Sequence, residues 1–359
     1  MRIPIANLRP ALAAAEPEWR RNLESLFEAG QFIQGPQLEA FEREFAQATG
    51  ARHAVGVGSG TAALELALRD AGVAGEVLTP ALTSPFTATA IRAAGCTPRF
   101  ADIEPGDLQI GIGDLRQRLN RRTKAVVAVH LYGQPCDLKS IPRDIALIQD
   151  ACQAHGAVYQ GKPLTSYSDY VCYSFYPTKN LGALGDGGAI ATNRTSAARR
   201  LKMRRDGGRG RRPQVAEIAG INSRLDEMQC CYLRAFLPKL SEWNQERRRL
   251  AALYDEALAG CPGVRPVLRT AESVCHLYLV RVERRDRLRR HLEARGIGTG
   301  VHYPVPLHLH PAFSDCGLKK GDLPNAEKAC REILSLPLWP YLGDAAVLEV
   351  AESIREFYQ

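Results

Sequence analysis

The sequence lacks the long hydrophobic run that a membrane-spanning helix requires. No apolar stretch in its 359 residues approaches the roughly 20 residues needed to cross a bilayer. The N-terminal segment has no uninterrupted hydrophobic core and carries acidic residues early, so it is a poor signal peptide. We therefore expect a cytoplasmic protein.

Disulfide and metal-binding patterns are also missing. Ten cysteines are scattered along the chain without a C-x-x-C motif, and Cys230 and Cys231 are adjacent within a helical pattern. In a chain of this length we expect reduced, mostly buried thiols rather than a disulfide framework.

Two common phosphate-binding patterns are absent as well. The spacing of Gly56, Gly58 and Gly60 does not match G-x-G-x-x-G, and no Gly-Lys-Ser/Thr follows. A nicotinamide oxidoreductase is therefore disfavoured. The net charge of +8 still points to an anionic partner, which could be a nucleic acid or a small molecule.

What the sequence does contain, from residue 52 onward, is an alternation of short apolar runs and helical stretches. This alternation follows two N-terminal helices and predicts an α/β fold, with a mostly parallel central sheet and helices on both faces. The predicted strands are 53–57, 77–78, 98–101, 125–129, 146–149, 170–175 and 188–192.

The C-terminal part has a different organisation. A long helical region begins near Arg224, and Pro262-Gly263 ends it. A strand at 276–282 and helices at 287–295 and 326–334 then predict a smaller α+β unit. We expect a large domain over residues 1–240 and a small domain over 241–359.

Three segments carry groups that could bind one cofactor. Gly58-Ser59-Gly60-Thr61 follows a strand and opens a helix, whose first amides favour a phosphate. Asp150 ends a strand, at the edge where α/β sheets bind ligands. Lys179 lies in a loop, where exclusion of water would lower its pKa and make it an amine nucleophile.

Separately, these residues could be a plain turn, a helix cap and a surface lysine. Together they meet the needs of pyridoxal phosphate: a phosphate anchor, an acid for the pyridine nitrogen and a lysine for the aldehyde.

Motifs between residues 35 and 340 resemble the DegT/DnrJ/EryC1/StrS family, the sugar aminotransferases of the aspartate aminotransferase superfamily. The matching stretches are SGTAALELAL, VHLYGQPCDL, DACQAHGA, SFYPTKNLGALGDGGAI, GINSRLDEMQ, GTGVHYPVPLHLHPAF and SLPLWPYL. The resemblance implies a transferase of fold type I with pyridoxal 5'-phosphate as cofactor. Its expected activity is the transfer of an amino group from glutamate to a nucleotide-linked keto-sugar, a dTDP-3-keto-6-deoxyhexose or a UDP-3-keto sugar, giving 2-oxoglutarate.

The same resemblance implies the cofactor contacts. Lys179 matches the lysine that forms the Schiff base, which also moves the proton between Cα of the amine and C4′ of the cofactor. Asp150 matches the acid that pairs with the pyridine nitrogen. Gln153 would lie near the phenolic oxygen. The implied phosphate contacts are Gly60, Thr61 and Ser174 from one subunit and Asn222 from its neighbour, so a homodimer with shared active sites is expected.

One position departs from the family pattern. An ungapped alignment places Ser84 where the family has an aromatic residue over the cofactor ring. Phe86, two residues further on, could take that role or belong to the core.

Two further segments suggest binding functions. The histidines His302, His308 and His310 could suggest a metal site, but prolines intervene in their spacing. The resemblance instead places His302, Tyr303 and His308 near the sugar. The basic run 204–212 lacks aromatic residues for base stacking, which disfavours nucleic acid. Its arginines could attract a nucleotide-sugar diphosphate, or the run could be a solvated loop without a ligand.

Three alternatives remain at this point. A sugar dehydratase of the same family is disfavoured because those enzymes carry His in place of Lys179. An aminotransferase acting at C4 and a regulatory protein that binds nucleic acid through the basic run stay open.

Overall fold

The main sheet lies in the first two thirds of the chain. The computed structural model describes residues 2–212 and 214–359. Its strands, in chain order, are β1 (His53–Val57), β2 (Glu76–Pro80), β3 (Thr97–Ala101), β4 (Thr123–Val129), β5 (Ala146–Asp150), β6 (Val158–Tyr159), β7 (Lys162–Pro163), β8 (Tyr170–Ser174), β9 (Gly188–Thr192), β10 (Val264–Pro266), β11 (Tyr278–Val282) and β12 (Ile333–Leu336).

Seven of these strands form one sheet in the order β1-β9-β8-β5-β4-β2-β3. Strand β9 is antiparallel to both of its neighbours, and the other pairs are parallel. Strands β1, β5 and β8 therefore end at the same edge of the sheet. The predicted α/β class with a mostly parallel sheet is confirmed.

Helices cover both faces of this sheet. The helices of the described chain are α1 (Arg9–Ala14), α2 (Glu16–Ala29), α3 (Pro36–Ala48), α4 (Gly60–Asp70), α5 (Pro85–Ala93), α6 (Ile112–Arg118), α7 (Thr195–Arg204), α8 (Glu227–Phe236), α9 (Leu240–Ala257), α10 (Arg285–Ala294), α11 (Pro324–Glu332) and α12 (Asp344–Tyr358). Among them, α3 and α8 lie on one face of the sheet and α4 and α7 on the other. Successive side chains of β4 point to opposite faces of the sheet, so they belong to two different parts of the core. Val126 and Ala128 pack with residues of α3 and α8, whereas Ala125 and Val127 pack with residues of α4 and α7.

A second core surrounds the antiparallel sheet β10-β11-β12. Helices α9, α10 and α12 pack around it, and Tyr254 of α9 stacks on Tyr278 at 4.6 Å between ring centroids. Trp243 of the same helix belongs to the core of the large sheet. Because α9 contributes to both cores, the division at residue 240 stays a proposal.

Two predicted helices have different bounds in the structure. The helix predicted over 326–334 ends at Glu332, because Ile333–Leu336 forms β12 against β11. The helical region after Arg224 is interrupted by a short 3₁₀ turn at Leu237–Lys239, where Pro238 cannot donate an α-helical hydrogen bond. No described helix combines the length and the hydrophobicity that a membrane span demands.

Candidate active site

Asp150 lies at the carboxyl end of β5, near the middle of the sheet, and is buried. Its side chain accepts two hydrogen bonds. Thr87 Oγ1 donates to Oδ2 at 2.9 Å, and the backbone N–H of Cys152 donates to Oδ1 at 3.1 Å. These donors fix the orientation of the carboxylate. Thr87 was not singled out from the sequence, although it is adjacent to the candidate Phe86.

Lys179 lies in the loop between β8 and β9 and is partly buried. Burial lowers the pKa of its amine, and the nearby Cys152 and Asp150 oppose that shift. Desolvation dominates because removing water penalises the charged form. The lowered pKa raises the fraction of neutral amine, the form that attacks a carbonyl.

The loop that carries Lys179 is anchored by its neighbour Asn180. Asn180 Nδ2 donates to Asn244 Oδ1 at 2.8 Å and to the carbonyl of Val274 at 3.0 Å. Its Oδ1 lies 2.9 Å from Nδ1 of the buried His276. These contacts join segments that are 64 to 96 residues apart in sequence, so no local pattern could have revealed them.

Gly60 and Thr61 form the first residues of α4, after Ser59. Ser59 Oγ caps the helix by accepting from Ala62 N at 3.1 Å. The amides of Gly60 and Thr61 precede the helical hydrogen bonds and carry the positive end of the helix dipole. Ser174 ends β8 beside them: a Cβ on Gly60 would lie 2.7 Å from Ser174 Cβ. The three predicted phosphate contacts therefore lie close together.

Gln153 connects the sheet edge to the C-terminal unit. Its Oε1 accepts from the backbone N–H of Tyr132 at 2.6 Å, and its Nε2 donates to Tyr303 Oη at 3.2 Å. Burial raises the pKa of Tyr303 to about 12, so the phenol is protonated at neutral pH.

His302 is held by a 2.9 Å contact between its Nδ1 and Ser335 Oγ. Burial and the nearby Lys179 lower the pKa of the His302 ring. Two of the three residues predicted near the sugar thus lie beside the cofactor residues.

The prediction for His308 does not fit this geometry. Its side chain is buried, and Nε2 lies 3.2 Å from Glu327 Oε1 on α11. A ring held inside the C-terminal unit in this way is not presented to a ligand. His310 contacts the carbonyl of Val305. The three histidines therefore have three different partners.

Ser84 and Phe86 take positions at the start of α5. Ser84 Oγ accepts from Phe86 N at 3.4 Å as the helix cap. Phe86 is 66% exposed. The alternative expectation, that Phe86 belongs to the core, is therefore wrong. Its contact with the cofactor ring stays a prediction.

Asn222 is exposed, as a contact to a neighbouring subunit requires. It borders an open depression that also includes Gly58 and Ser59, just before α4.

The basic run is less accessible than its sequence suggests. Arg204 contacts Asp70 at 3.3 Å, and the buried Arg205 pairs with Glu42. These arginines balance acids on α4 and α3 rather than facing a ligand. The exposed arginines of the run lie further on, at Arg209, Arg211 and Arg212.

This donor set fits pyridoxal phosphate. A partly buried lysine with a lowered pKa, a fixed carboxylate at a strand end and the N-terminus of α4 lie along one edge of the sheet. They match the aldehyde, the pyridine nitrogen and the phosphate of that cofactor.

Comparison with known proteins agrees with this geometry. A model of the DegT/DnrJ/EryC1/StrS aminotransferase family matches residues 14–355. The dTDP-3-amino-3,4,6-trideoxy-alpha-D-glucose transaminase of Streptomyces venezuelae is 42% identical, over 99% of this chain and 96% of its own. The UDP-N-acetyl-3-dehydro-alpha-D-glucosamine 3-aminotransferase of Acidithiobacillus ferrooxidans is 36% identical, over 98% of this chain and 97% of its own.

Solved structures agree too. DesV of S. venezuelae, in complex with a ketimine intermediate, superposes with a TM-score of 0.96 at 40% identity, over 99% of this chain and 98% of its own. NtdA of Bacillus subtilis, with bound PMP, has a TM-score of 0.87 at 28% identity, over 96% of this chain and 82% of its own. The expected fold type, cofactor and enzyme class are confirmed: this is an aminotransferase that uses pyridoxal phosphate. The chain belongs to the DegT/DnrJ/EryC1/StrS aminotransferase family.

Proposed function

We propose that this enzyme transfers the amino group of glutamate to C3 of a nucleotide-linked keto-sugar, a dTDP-3-keto-6-deoxyhexose or a UDP-3-keto sugar. The names of both relatives support this substrate class, since each places the nitrogen at C3 of a dTDP- or UDP-linked sugar. The observation that carries the proposal is the desolvated Lys179 amine near the fixed carboxylate of Asp150.

In this proposal Lys179 holds the cofactor and then moves a proton. When bound, pyridoxal phosphate acts as an electron sink that acidifies the Cα–H of the amino donor. The neutral Lys179 amine would remove this proton and deliver it to C4′ of the cofactor, and in the second half-reaction it would move a proton from C4′ to the sugar carbon that receives the nitrogen. Asp150 pairs with the pyridine nitrogen, while Gly60, Thr61 and Ser174 bind the phosphate.

On the sugar side, His302 and Tyr303 border the cofactor residues from the C-terminal unit. The Tyr303 phenol, near Gln153, offers a donor and an acceptor to sugar hydroxyls. The lowered pKa of His302 keeps its ring neutral, so its free nitrogen also offers a polar contact.

The active form is proposed to be a homodimer in which Asn222 completes the partner's phosphate site. An exposed aromatic pair supports this arrangement: the rings of Phe27 and Phe32 lie 6.5 Å apart at the end of α2 and are 61% and 49% exposed. Large exposed apolar side chains that cluster in this way are typical of interaction surfaces.

Mixing two variants tests the shared site, at a pyridoxal phosphate concentration that loads the wild type but not Asn222→Ala. If Lys179→Ala and Asn222→Ala are unfolded and refolded together, half of the dimers are mixed and contain one intact site. About a quarter of the wild-type activity should then return, as twofold symmetry requires. A mixture that remains inactive although mixed dimers form would contradict the shared site.

The reaction is tested with the purified protein, added pyridoxal phosphate and glutamate. Candidate dTDP- and UDP-linked 3-keto and 4-keto sugars are supplied in turn, and mass spectrometry follows amino sugar and 2-oxoglutarate. The proposal expects both products in equal amounts from a 3-keto sugar, and neither product with Lys179→Ala. Transfer only to 4-keto sugars, or loss of water without transfer, would contradict it.

The ten free thiols support a cytoplasmic location, because reduced cysteines persist where glutathione and thioredoxin act. Nine of them are buried.

A further inference from the structure

Tyr132 joins the cofactor side of the molecule to the loop that carries His302 and Tyr303. We propose that Tyr132 is a positioning residue, whose phenol holds this loop in the conformation that receives the sugar. The inference rests on the proposed function for the identity of the ligand. The contact itself is independent of that function.

The backbone of Tyr132 is fixed on both sides. Its N–H donates to Gln153 Oε1 at 2.6 Å, and its carbonyl accepts from His276 N at 2.9 Å. Its φ of +60° is rare for a bulky residue, and Gly133 follows with φ of +89°. Such a conformation persists only where the surroundings enforce it. The ring therefore projects from a backbone that has little freedom to adjust.

The ring of Tyr132 is 4% exposed, and its hydroxyl donates to the backbone carbonyl of His302. This contact spans 170 residues and joins the two units of the fold. The neutral phenol is the donor, because burial holds the Tyr132 pKa well above its ordinary value. The bond is therefore present throughout the neutral range.

The loop is attached at its two ends and at a few points between them. Gly300 pairs with Ser335, and His302 contacts the same serine, which belongs to the C-terminal unit. At the other end, Leu307 N donates to the carbonyl of Ala81 at 2.8 Å. Between these two ends, Tyr132 and Gln153 bind the loop from the large-sheet side, and Ser84 is a further side-chain contact of Tyr303.

Tyr132 influences both of these bonds. Its hydroxyl binds the His302 carbonyl directly, and its N–H fixes the Gln153 amide whose other end binds Tyr303. One residue thus couples the loop to the cofactor side. Loss of the hydroxyl should release the loop while leaving the Gln153 contact to the Tyr132 backbone intact.

Tyr132→Phe tests the proposal, because it removes the hydroxyl and keeps the ring. Tyr254→Phe is the matched control: that hydroxyl also donates from a buried ring to a backbone carbonyl, of Pro337 at 3.0 Å, within the C-terminal unit. Two readouts are compared in holoenzyme. The first is amide hydrogen exchange over residues 300–307, and the second is kcat/KM measured separately for the keto-sugar and for glutamate.

We expect exchange over 300–307 to become at least fivefold faster in Tyr132→Phe and to stay unchanged in Tyr254→Phe. Because each substrate's kcat/KM reports its own half-reaction, the value for the sugar should fall about tenfold, the effect of one lost hydrogen bond. The value for glutamate should stay within about twofold, since the lost bond acts on the sugar-side loop.

Unchanged exchange, or an equal fall for both substrates, would overturn the proposal. Equal falls would show that Tyr132 only supports the fold or the cofactor. Failure of the proposed function looks different, because wild-type protein would then transfer no amino group to a 3-keto sugar. In that case the exchange experiment alone decides whether Tyr132 holds the loop.

Discussion

Gly60→Ala tests the close approach between α4 and β8. The added Cβ would lie 2.7 Å from Ser174 Cβ and 2.8 Å from Cys152 Sγ, so the start of the helix must move. Overpacking of this kind costs about 1–3 kcal/mol. Alanine regains up to about 1 kcal/mol of helix propensity, which leaves a net loss of about 0–2 kcal/mol in the free energy of unfolding.

Displacement of α4 should weaken cofactor binding more than it weakens the fold. Losing one hydrogen bond from a helix amide to a charged phosphate costs about 1.5–3 kcal/mol. At 1.4 kcal/mol per tenfold, the Kd for pyridoxal phosphate rises about ten- to hundredfold. Equilibrium titration of apoprotein, followed by absorbance, measures this change, and urea unfolding measures the stability.

Gly113→Ala is the control, because Gly113 also lies in the first turn of a helix and a Cβ there meets nothing within 4 Å. It should be neutral or slightly stabilising, with an unchanged Kd. If Gly60→Ala binds the cofactor as tightly as Gly113→Ala, the assignment of Gly60 to the phosphate site is wrong.

Two more predictions concern Asp150 and Lys179. Thr87→Val removes the 2.9 Å hydrogen bond to a buried carboxylate and should lower the free energy of unfolding by about 1.5–3 kcal/mol, whereas Thr87→Ser should stay close to wild type. An equal loss in both variants, measured by urea unfolding, would point to packing instead. Because burial lowers the pKa of Lys179, capture of cofactor by apoprotein should quicken with pH and level off below the ordinary lysine pKa of 10.5. Stopped-flow absorbance measures this rate, and a rise that continues past pH 10.5 would refute the lowered pKa.

The residues at the centre of the site could be predicted from sequence because they lie next to the ends of strands. Asp150 ends an apolar run and Gly60 follows one, so a parallel sheet brings them to the same edge, whereas Ser174 is implied only by the resemblance because its apolar run continues to Phe175. The bounds of β5 were predictable for the same reason, since its apolar run ends in a charged residue. Only the resemblance could assign them to particular atoms of the cofactor.

Contacts between distant segments could not be predicted. Thr87 and Asp150 are 63 residues apart, and Tyr132 and His302 are 170 apart. No spacing in a single sequence encodes such pairs. His308 illustrates the limit: the motif placed it near the sugar, but its partner Glu327 lies on a helix that buries the ring.

The basic run 204–212 shows that the charged partners of a segment could not be predicted from sequence either. Its sequence indicates an anion-binding loop, yet Arg204 and Arg205 neutralise Asp70 and Glu42. Those acids come from α4 and α3, more than 130 residues earlier. The positive net charge of the chain is therefore a weaker guide to its ligand than the geometry of the sheet edge.

The central claim is that Lys179 carries the cofactor. Borohydride reduction of the loaded protein fixes pyridoxal phosphate to the lysine that holds it, and peptide mass spectrometry then locates the added mass. The account predicts the addition on Lys179, with none recovered from Lys179→Ala. An addition on another lysine, or equal labelling of the Lys179→Ala variant, would contradict it.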